Sequence, residues 1–288
     1  MSCLAEKIPV IASIYPVADM VRQVGGDYVT VTCVLPPGAS PHTFEPKPGL
    51  MRTFSSARIF FMIGAGLEFW GGKFIRLAGP NLMTVVLSRG VHLIASTEHE
   101  HEHHHHENNA LSLKNESAVA NPHIWLDPVI AKSMVDKITV ALCKVDPAHI
   151  PYYNRKNQRY QKTLDRLDHL IAATVAGFKN KKYVAFHPAW DYFARRYGLE
   201  RAGVIEAAPG RNPTPLQIKR IIAAIKRYHI RAVFAEPQLN PRAAEIIAKE
   251  ARVRVLLLDP IGGPGQPYGN TYVDLMTHDL KILKEAME

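Results

Sequence analysis

The stretch from residue 146 to residue 178, DPAHIPYYNRKNQRYQKTLDRLDHLIAATVAGF, decides how the rest of this 288-residue chain is organised. Aromatic and apolar side chains recur along it at helical spacing, which predicts one amphipathic helix. Asp146-Pro147 signals its start, and Pro151 lies in the first turn, where proline is tolerated. A helix of about 30 residues would be near 45 Å long. The buried face is predicted to consist of Tyr153, Tyr160, Leu164, Leu167, Ile171 and Val175.

On both sides of this helix, short runs rich in β-branched residues alternate with segments of helical periodicity. The runs are IPVIASI, YVTVTCVL, RIFFMIG and MTVVL before the helix, and KKYVAF, AGVIEA, RAVFAE and VRVLLLD after it. Such alternation is typical of parallel β/α structure. We therefore predict an α/β fold with two parallel-sheet β/α lobes joined by one long backbone helix. The predicted units are an N-terminal lobe over residues 1–145, a linking helix over 146–180 and a C-terminal lobe over 181–288.

The composition excludes several classes of protein. With 47% hydrophobic and 21% charged residues, the chain can bury a sizeable core. The formal net charge of +9 would permit a nucleic-acid partner, but Lys and Arg are scattered, so we predict none. No run approaches the roughly 18 apolar residues of a membrane helix. No apolar signal-peptide core precedes the first strand, so we expect a soluble, mature or trimmed chain.

Three cysteines have no spacing that indicates a cysteine metal site. Cys33 and Cys143 lie in apolar runs and are predicted to pack as small hydrophobic residues. Cys3 lies at the extreme N-terminus. It is either an unremarkable free thiol or the lipid-bearing first residue of a bacterial lipoprotein whose signal has been removed.

A run of His and Glu interrupts the N-terminal half, EHEHEHHHHENN over residues 98–109. It has no apolar residue to bury and no helix or strand period, so we predict a loop. Neutral imidazole is a common ligand for zinc, nickel and copper, and carboxylates beside it raise the local cation concentration. A purification tag or a merely solvated loop is the alternative. The accessory metal ligands of this loop are predicted to be His99, His101, His103, His104, His105, His106, Glu98, Glu100, Glu102 and Glu107.

Four further side chains stand at the ends of predicted elements. His42, His187 and Asp259 follow predicted strands directly or after a short turn, and His123 precedes a predicted helix. In open parallel sheets the ligand crevice lies at the carboxyl ends of the strands, so we expect these residues to converge on one interlobe cleft. Three imidazoles and one carboxylate complete a tetrahedral shell for Zn(II). Any one of these histidines taken alone would be an ordinary loop residue.

The chain also resembles a known family, the cluster A-I zinc and manganese solute-binding proteins of bacterial ABC transporters. The resemblance rests on motifs in their usual order over essentially the whole chain: PPGASPHTFEPKP, IGAGLEFW, NPHIWLDP, FHPAWDYFARRYGL, FAEPQLNPRAAEIIAKEARVRVLLLDP and YVDLMTHDLKIL. It implies two lobes bridged by a backbone helix, with metal held between them. It implies the ligands His42, His123, His187 and Asp259, with Glu68 near the cleft behind them.

The resemblance also implies a role. Manganese-type members usually carry a carboxylate at the position of His187 and lack the His-rich insertion, so the zinc type is expected. The segment EAAPGRNPTP, from Glu206, departs from the family pattern and leaves the cleft rim near Arg211 undefined. The implied function is extracytoplasmic capture of Zn(II) and delivery to a membrane ABC permease, by a monomer that is not an enzyme. The implied location is the periplasm or the outer face of a bacterial membrane, with a possible lipid anchor.

Two other functions stay open on the residues alone. A zinc hydrolase could use His42, His123 and His187 as ligands and Glu68 as base, although no HExxH motif is present. A metal-storage protein could rely mainly on the His-rich loop.

Overall fold

The computed structural model describes residues 7–95, 120–207 and 210–288. The first of the two lobes contains a four-stranded parallel sheet in the order β2-β1-β3-β4. Its strands are β1 (Ile8–Ala12), β2 (Val29–Cys33), β3 (Ile59–Met62) and β4 (Met83–Val86). The central strands are almost completely buried, which matches their continuous apolar sequence.

The second lobe repeats this arrangement. Its parallel sheet has the order β6-β5-β7-β8, so the strand order changes direction between β5 and β7 as it does between β1 and β3. The strands are β5 (Lys182–Ala185), β6 (Glu200–Val204), β7 (Ala232–Ala235) and β8 (Arg254–Leu257). The two-lobed parallel α/β fold predicted from the sequence is confirmed.

Helices connect the strands and cover the sheets. Asp127 caps one of them by accepting hydrogen bonds from the amides of Val129 and Ile130, at 2.8 and 3.3 Å, with Pro128 at the first helical position. In the described part of the chain, the helices are α1 (Tyr15–Gly25), α2 (Leu50–Ser56), α3 (Gly71–Ala78), α4 (Pro128–Val145), α5 (Ile150–Ala176), α6 (Asp191–Tyr197), α7 (Pro215–Arg227), α8 (Arg242–Ala251) and α9 (Tyr272–Met287).

The long helix predicted from the opening stretch is α5, which has 27 residues and is therefore about 40 Å long. Its buried residues are the six that the sequence periodicity predicted: Tyr153, Tyr160, Leu164, Leu167, Ile171 and Val175. They belong to one large cluster that also contains β1 and β3 residues of the first lobe and β5 and β7 residues of the second. The predicted boundaries at 145/146 and 180/181 stay predictions.

The last helix, α9, returns from the second lobe and packs against α5 and α1. Its residues Tyr272, Met276 and Leu280 lie in the same cluster as the buried face of α5. The two lobes are thus held together by a continuous apolar core and not by a single connection. None of the helices over the three described ranges has the length and apolar character that crossing a membrane requires.

Candidate metal centre

Three histidines from three separate segments meet where the two lobes face each other. His42 lies in the turn after β2, His123 directly precedes the short 3-10 turn Ile124–Leu126, and His187 follows β5. Two of these positions are at carboxyl ends of parallel strands, as predicted from the sequence. Each histidine is next to a proline in the chain, which restricts the backbone at the turn that carries it.

The imidazole rings point their Nε2 atoms at one another. His42 Nε2 and His187 Nε2 each lie 3.0 Å from His123 Nε2. The three ligand nitrogens all lie within 4.8 Å of one another. Nitrogens bound at about 2.0–2.1 Å to a tetrahedral Zn(II) would be about 3.3 Å apart, so a movement of a few tenths of an ångström accommodates the ion.

Two of the rings are fixed through their other nitrogen. Asn121 donates from its amide nitrogen to the Pro188 carbonyl at 2.7 Å, which sets the orientation of its side chain. Its oxygen then accepts from His123 Nδ1 at 2.8 Å. The proton of neutral His123 is therefore on Nδ1, and the Nε2 lone pair is free for a metal.

A buried carboxylate holds the second of these two rings, that of His187. Glu236, directly after β7, accepts from His187 Nδ1 at 2.5 Å, and both side chains are almost completely inaccessible to solvent. A carboxylate on Nδ1 orients the ring and increases the basicity of Nε2. Because β5 and β7 are neighbours, the pair lies where the strand order of the second sheet changes direction, which is the usual place of a ligand site.

Burial makes the charged form of these imidazoles costly. It lowers the pKa of His42 to about 3, with a further contribution from the adjacent His187. It also lowers the pKa of His123 well below the usual 6.5, helped by His187 and His42. Neutral imidazole is the form that binds metal, so protons compete poorly with a cation at these nitrogens.

Asp259 lies beside this group but outside it. Its Oδ1 accepts hydrogen bonds from Gln238 Nε2 at 2.7 Å and from the amides of Ile261 and Gly262 at 3.0 Å. Its Oδ2 accepts from the Tyr268 hydroxyl. Among the described residues, the group of ligand atoms contains the three histidines and not this carboxylate. The assignment of Asp259 as a fourth ligand stays a prediction.

Glu68 is buried at the carboxyl end of β3. Its two carboxylate oxygens accept from the amides of Ile63 and Gly64, both at 2.8 Å. Gly64 has a φ of +80°, and a Cβ there would lie 2.5 Å from a Val86 methyl group, so only glycine fits. The carboxylate is thus committed to the backbone of its own loop, which does not favour the base that a hydrolase would need. Its place behind the ligands stays a prediction.

Sequence reasoning missed the partners of the two Nδ1 atoms. Glu236 stands at the end of a predicted strand, as His187 and Asp259 do. That position could have identified Glu236 as a residue of the site. Asn121 lies two residues before His123, and nothing in its spacing indicates a hydrogen bond to the ring. The predicted accessory ligands between Glu98 and Glu107, and Cys3, lie outside the described residues.

Comparison with known proteins gives a consistent result. The family model described as the periplasmic zinc-uptake complex component A, ZnuA, matches residues 10–286. The chain is similar to the high-affinity zinc uptake system protein ZnuA of Bacillus subtilis, with 26% identity over 98% of this chain and 88% of that protein. It is 25% identical to the zinc-binding lipoprotein AdcA of Streptococcus pneumoniae over 98% of this chain, and it spans 56% of that longer relative.

A solved structure agrees in fold. A crystal structure of ZnuA superposes with a TM-score of 0.86 and 27% sequence identity, covering 98% of this chain and all of the other. The superposition includes both lobes and therefore the interface at which the three histidines meet.

Proposed function

The chain belongs to the ZnuA family of periplasmic zinc-uptake components, and from that premise we propose that His42, His123 and His187 capture the Zn(II) that is imported. Zinc is the cargo of this protein, which passes it to the permease of an ABC transporter. The observation that carries the residue assignment is the convergence of three Nε2 atoms, two of them on the buried His123 and His187 and one on the half-buried His42. Asp259 is the proposed fourth ligand, and Glu68 supports the cleft from behind.

Zinc fits these residues better than manganese does. Imidazole nitrogens suit zinc, whereas manganese prefers carboxylate and water oxygens, and the general affinity order also favours zinc. Two of the three rings are already oriented by Asn121 and Glu236, so little ordering is required when the ion binds. Burial lowers the pKa of His42 and of His123, which favours the neutral form with a free lone pair in those two rings.

The His-rich loop is proposed as an accessory zinc collector. Its side chains follow one another without apolar residues, so they must be ordered before they can chelate. We expect the loop to bind zinc more weakly than the cleft, and to take more than one ion. The same chemistry would serve a storage protein, but the cleft is where, among the described residues, the fold has already brought ligand nitrogens together.

The family is extracytoplasmic, and its members supply an ABC permease. For this chain we propose action as a monomer. We also propose a lipid on Cys3, supported by the lipoprotein name of the pneumococcal relative. Mass spectrometry of protein isolated from membranes tests the lipid, since an unmodified Cys3 would exclude it.

Calorimetric titration of metal-free protein with Zn(II) tests the assignment. His123→Ala is expected to weaken the tight site at least tenfold, because a lost ligand costs more than the ~1.4 kcal/mol of a tenfold change. His169→Ala, in an exposed position on α5, is the matched control and should bind as the wild type does. Tight binding in the His123→Ala protein would contradict the proposed site.

Deletion of residues 98–109 separates the two kinds of site in the same titration. The weak sites should disappear and the tight one should remain. Loss of the tight site would mean that the loop supplies a ligand to the cleft.

A further inference from the structure

The carboxylate of Asp259 is held by four hydrogen-bond donors. Three of them, the Gln238 amide and the backbone amides of Ile261 and Gly262, share Oδ1. The fourth is the Tyr268 hydroxyl, which is the donor to Oδ2. A carboxylate has room for about four donors, so in this state it has little capacity left for a cation.

The neighbours of Asp259 nevertheless line the metal cavity. Pro260 and Ile261, which follow it in the chain, form part of the wall around the three histidines, and so does Gln238. Asp259 is thus next in the chain to the cavity wall, while its Oδ2 accepts the hydrogen bond from Tyr268. A change in the Oδ2 hydrogen bond is therefore the smallest step that could release an oxygen to the metal.

Tyr268 is itself held from outside the cavity. Its ring stacks on the imidazole of His278 in α9, with ring centroids 4.2 Å apart and an interplanar angle of 19°. The loop between Asp259 and α9 is also fastened to the first lobe, because the Tyr15 hydroxyl donates to the Asn270 carbonyl. These contacts hold Tyr268 and its loop in place while the tyrosine hydroxyl reaches Asp259.

We propose that Tyr268 is a positioning residue that holds Asp259 back from the three-histidine centre and so sets how tightly zinc is held and how fast it is released. Zinc is first bound by the histidines, and Asp259 joins the shell only when its Oδ2 exchanges the tyrosine hydroxyl for the metal. This inference rests on the proposed zinc capture at His42, His123 and His187.

The expected direction follows from that exchange. If zinc must replace a hydrogen bond to a charged carboxylate, removal of the hydroxyl makes the carboxylate available without that cost. A hydrogen bond of this kind is strong enough to change affinity roughly tenfold or more. The gain should appear as slower release, since the donor competes with the bound metal rather than with its approach.

The experiment measures zinc affinity by chelator competition, and zinc release by stopped flow, in the full-length Tyr268→Phe protein. Affinity should rise about tenfold, with slower release and little change in the association rate. Tyr197→Phe is the matched control. It removes a tyrosine hydroxyl bond to another carboxylate, that of Asp168 on α5, without contacting Asp259 or its loop, and its zinc binding should equal that of the wild type.

Together with the wild type and Tyr268→Phe, the Asp259→Asn protein and the Tyr268→Phe/Asp259→Asn double variant form a double-mutant cycle. A positioning role acting through Asp259 requires that Tyr268→Phe has no effect on zinc binding once Asp259 is replaced. An unchanged or weaker affinity in Tyr268→Phe, or an equal gain in Tyr197→Phe, would overturn the proposal. The proposed zinc site is tested separately, because its failure would appear as tight binding that survives His123→Ala.

Discussion

Each buried histidine of the metal centre keeps one ring nitrogen inside the protein and offers the other to the cleft. Asn121 holds His123 and Glu236 holds His187. The two acceptors differ, because an amide is neutral and a carboxylate adds negative charge next to the ring. Glu236 therefore both orients His187 and compensates positive charge brought by a metal.

A variant of Glu236 tests this role. Glu236→Ala removes the acceptor from His187 Nδ1 and should lower zinc affinity by about 10- to 100-fold, as is usual for the outer partner of a metal-bound histidine. Glu236→Gln keeps an acceptor but loses the charge, so its loss should be smaller. Chelator competition gives both values, with Glu245→Gln, an exposed position on α8, as the control. Wild-type affinity in Glu236→Ala would show that His187 needs no partner.

At the scale of secondary-structure elements, α5 is the helix against which both lobes pack. Its apolar face is buried at helical spacing, and its opposite face carries exposed polar residues. Because the same face contacts α1, α4 and α9, shortening a side chain there should affect the whole molecule rather than one lobe.

Two leucines on this helix give a matched test. Leu164 is completely buried, whereas Leu170 is 48% exposed. Leu164→Ala should lower the free energy of unfolding by about 2–5 kcal/mol, from lost burial and the cavity that remains. Leu170→Ala should change it by about 0.5 kcal/mol or less. Urea denaturation of the metal-free proteins measures both, and equal losses would mean that α5 is not part of a shared core.

Some of the secondary-structure elements could be predicted from the sequence, and others could not. Long periodic segments such as α5 and continuous apolar strands were predicted correctly, since burial of one face imposes their pattern. The helices α2 and α6 were not predicted, because seven residues give too few turns for a period to emerge.

Only part of the metal centre could be predicted from the sequence. Residues at strand ends pointed to His42 and His187, since parallel strands end at one edge. The hydrogen bonds that occupy Asp259 could not be foreseen, because Gln238 and Tyr268 meet it only through the folded loops. Geometry between loops depends on packing that no local pattern records.

At the scale of the whole molecule, the buried imidazoles couple the metal centre to folding. His42 has a pKa of about 3 in the folded protein, below the ordinary 6.5 expected in the unfolded chain. Between these values the unfolded chain binds a proton that the folded chain does not, so acid favours unfolding. The lowered pKa of His123 acts in the same direction.

The metal-free protein should therefore lose stability as pH falls from 6.5 toward 5. His42 alone contributes a slope of about 1.4 kcal/mol per pH unit. Urea denaturation at a series of pH values measures the slope, and His42→Gln, which has no titrating ring, should show a shallower one. Equal slopes in the two proteins would contradict the burial of a neutral His42.

The continuous core between the lobes has a mechanical consequence. Trp125, two residues after His123, donates to the Pro260 carbonyl at 2.7 Å, and Tyr272 donates back to the Trp125 carbonyl at 2.6 Å. This packing resists a hinge-like separation of the two lobes, because separating them would expose apolar surface to water. We therefore expect the ion to leave by movement of the short segments around His42 and Asp259 rather than by separation of the lobes. A permease that unloads the carrier would then have to displace those segments, while the shared core of the two lobes stays rigid.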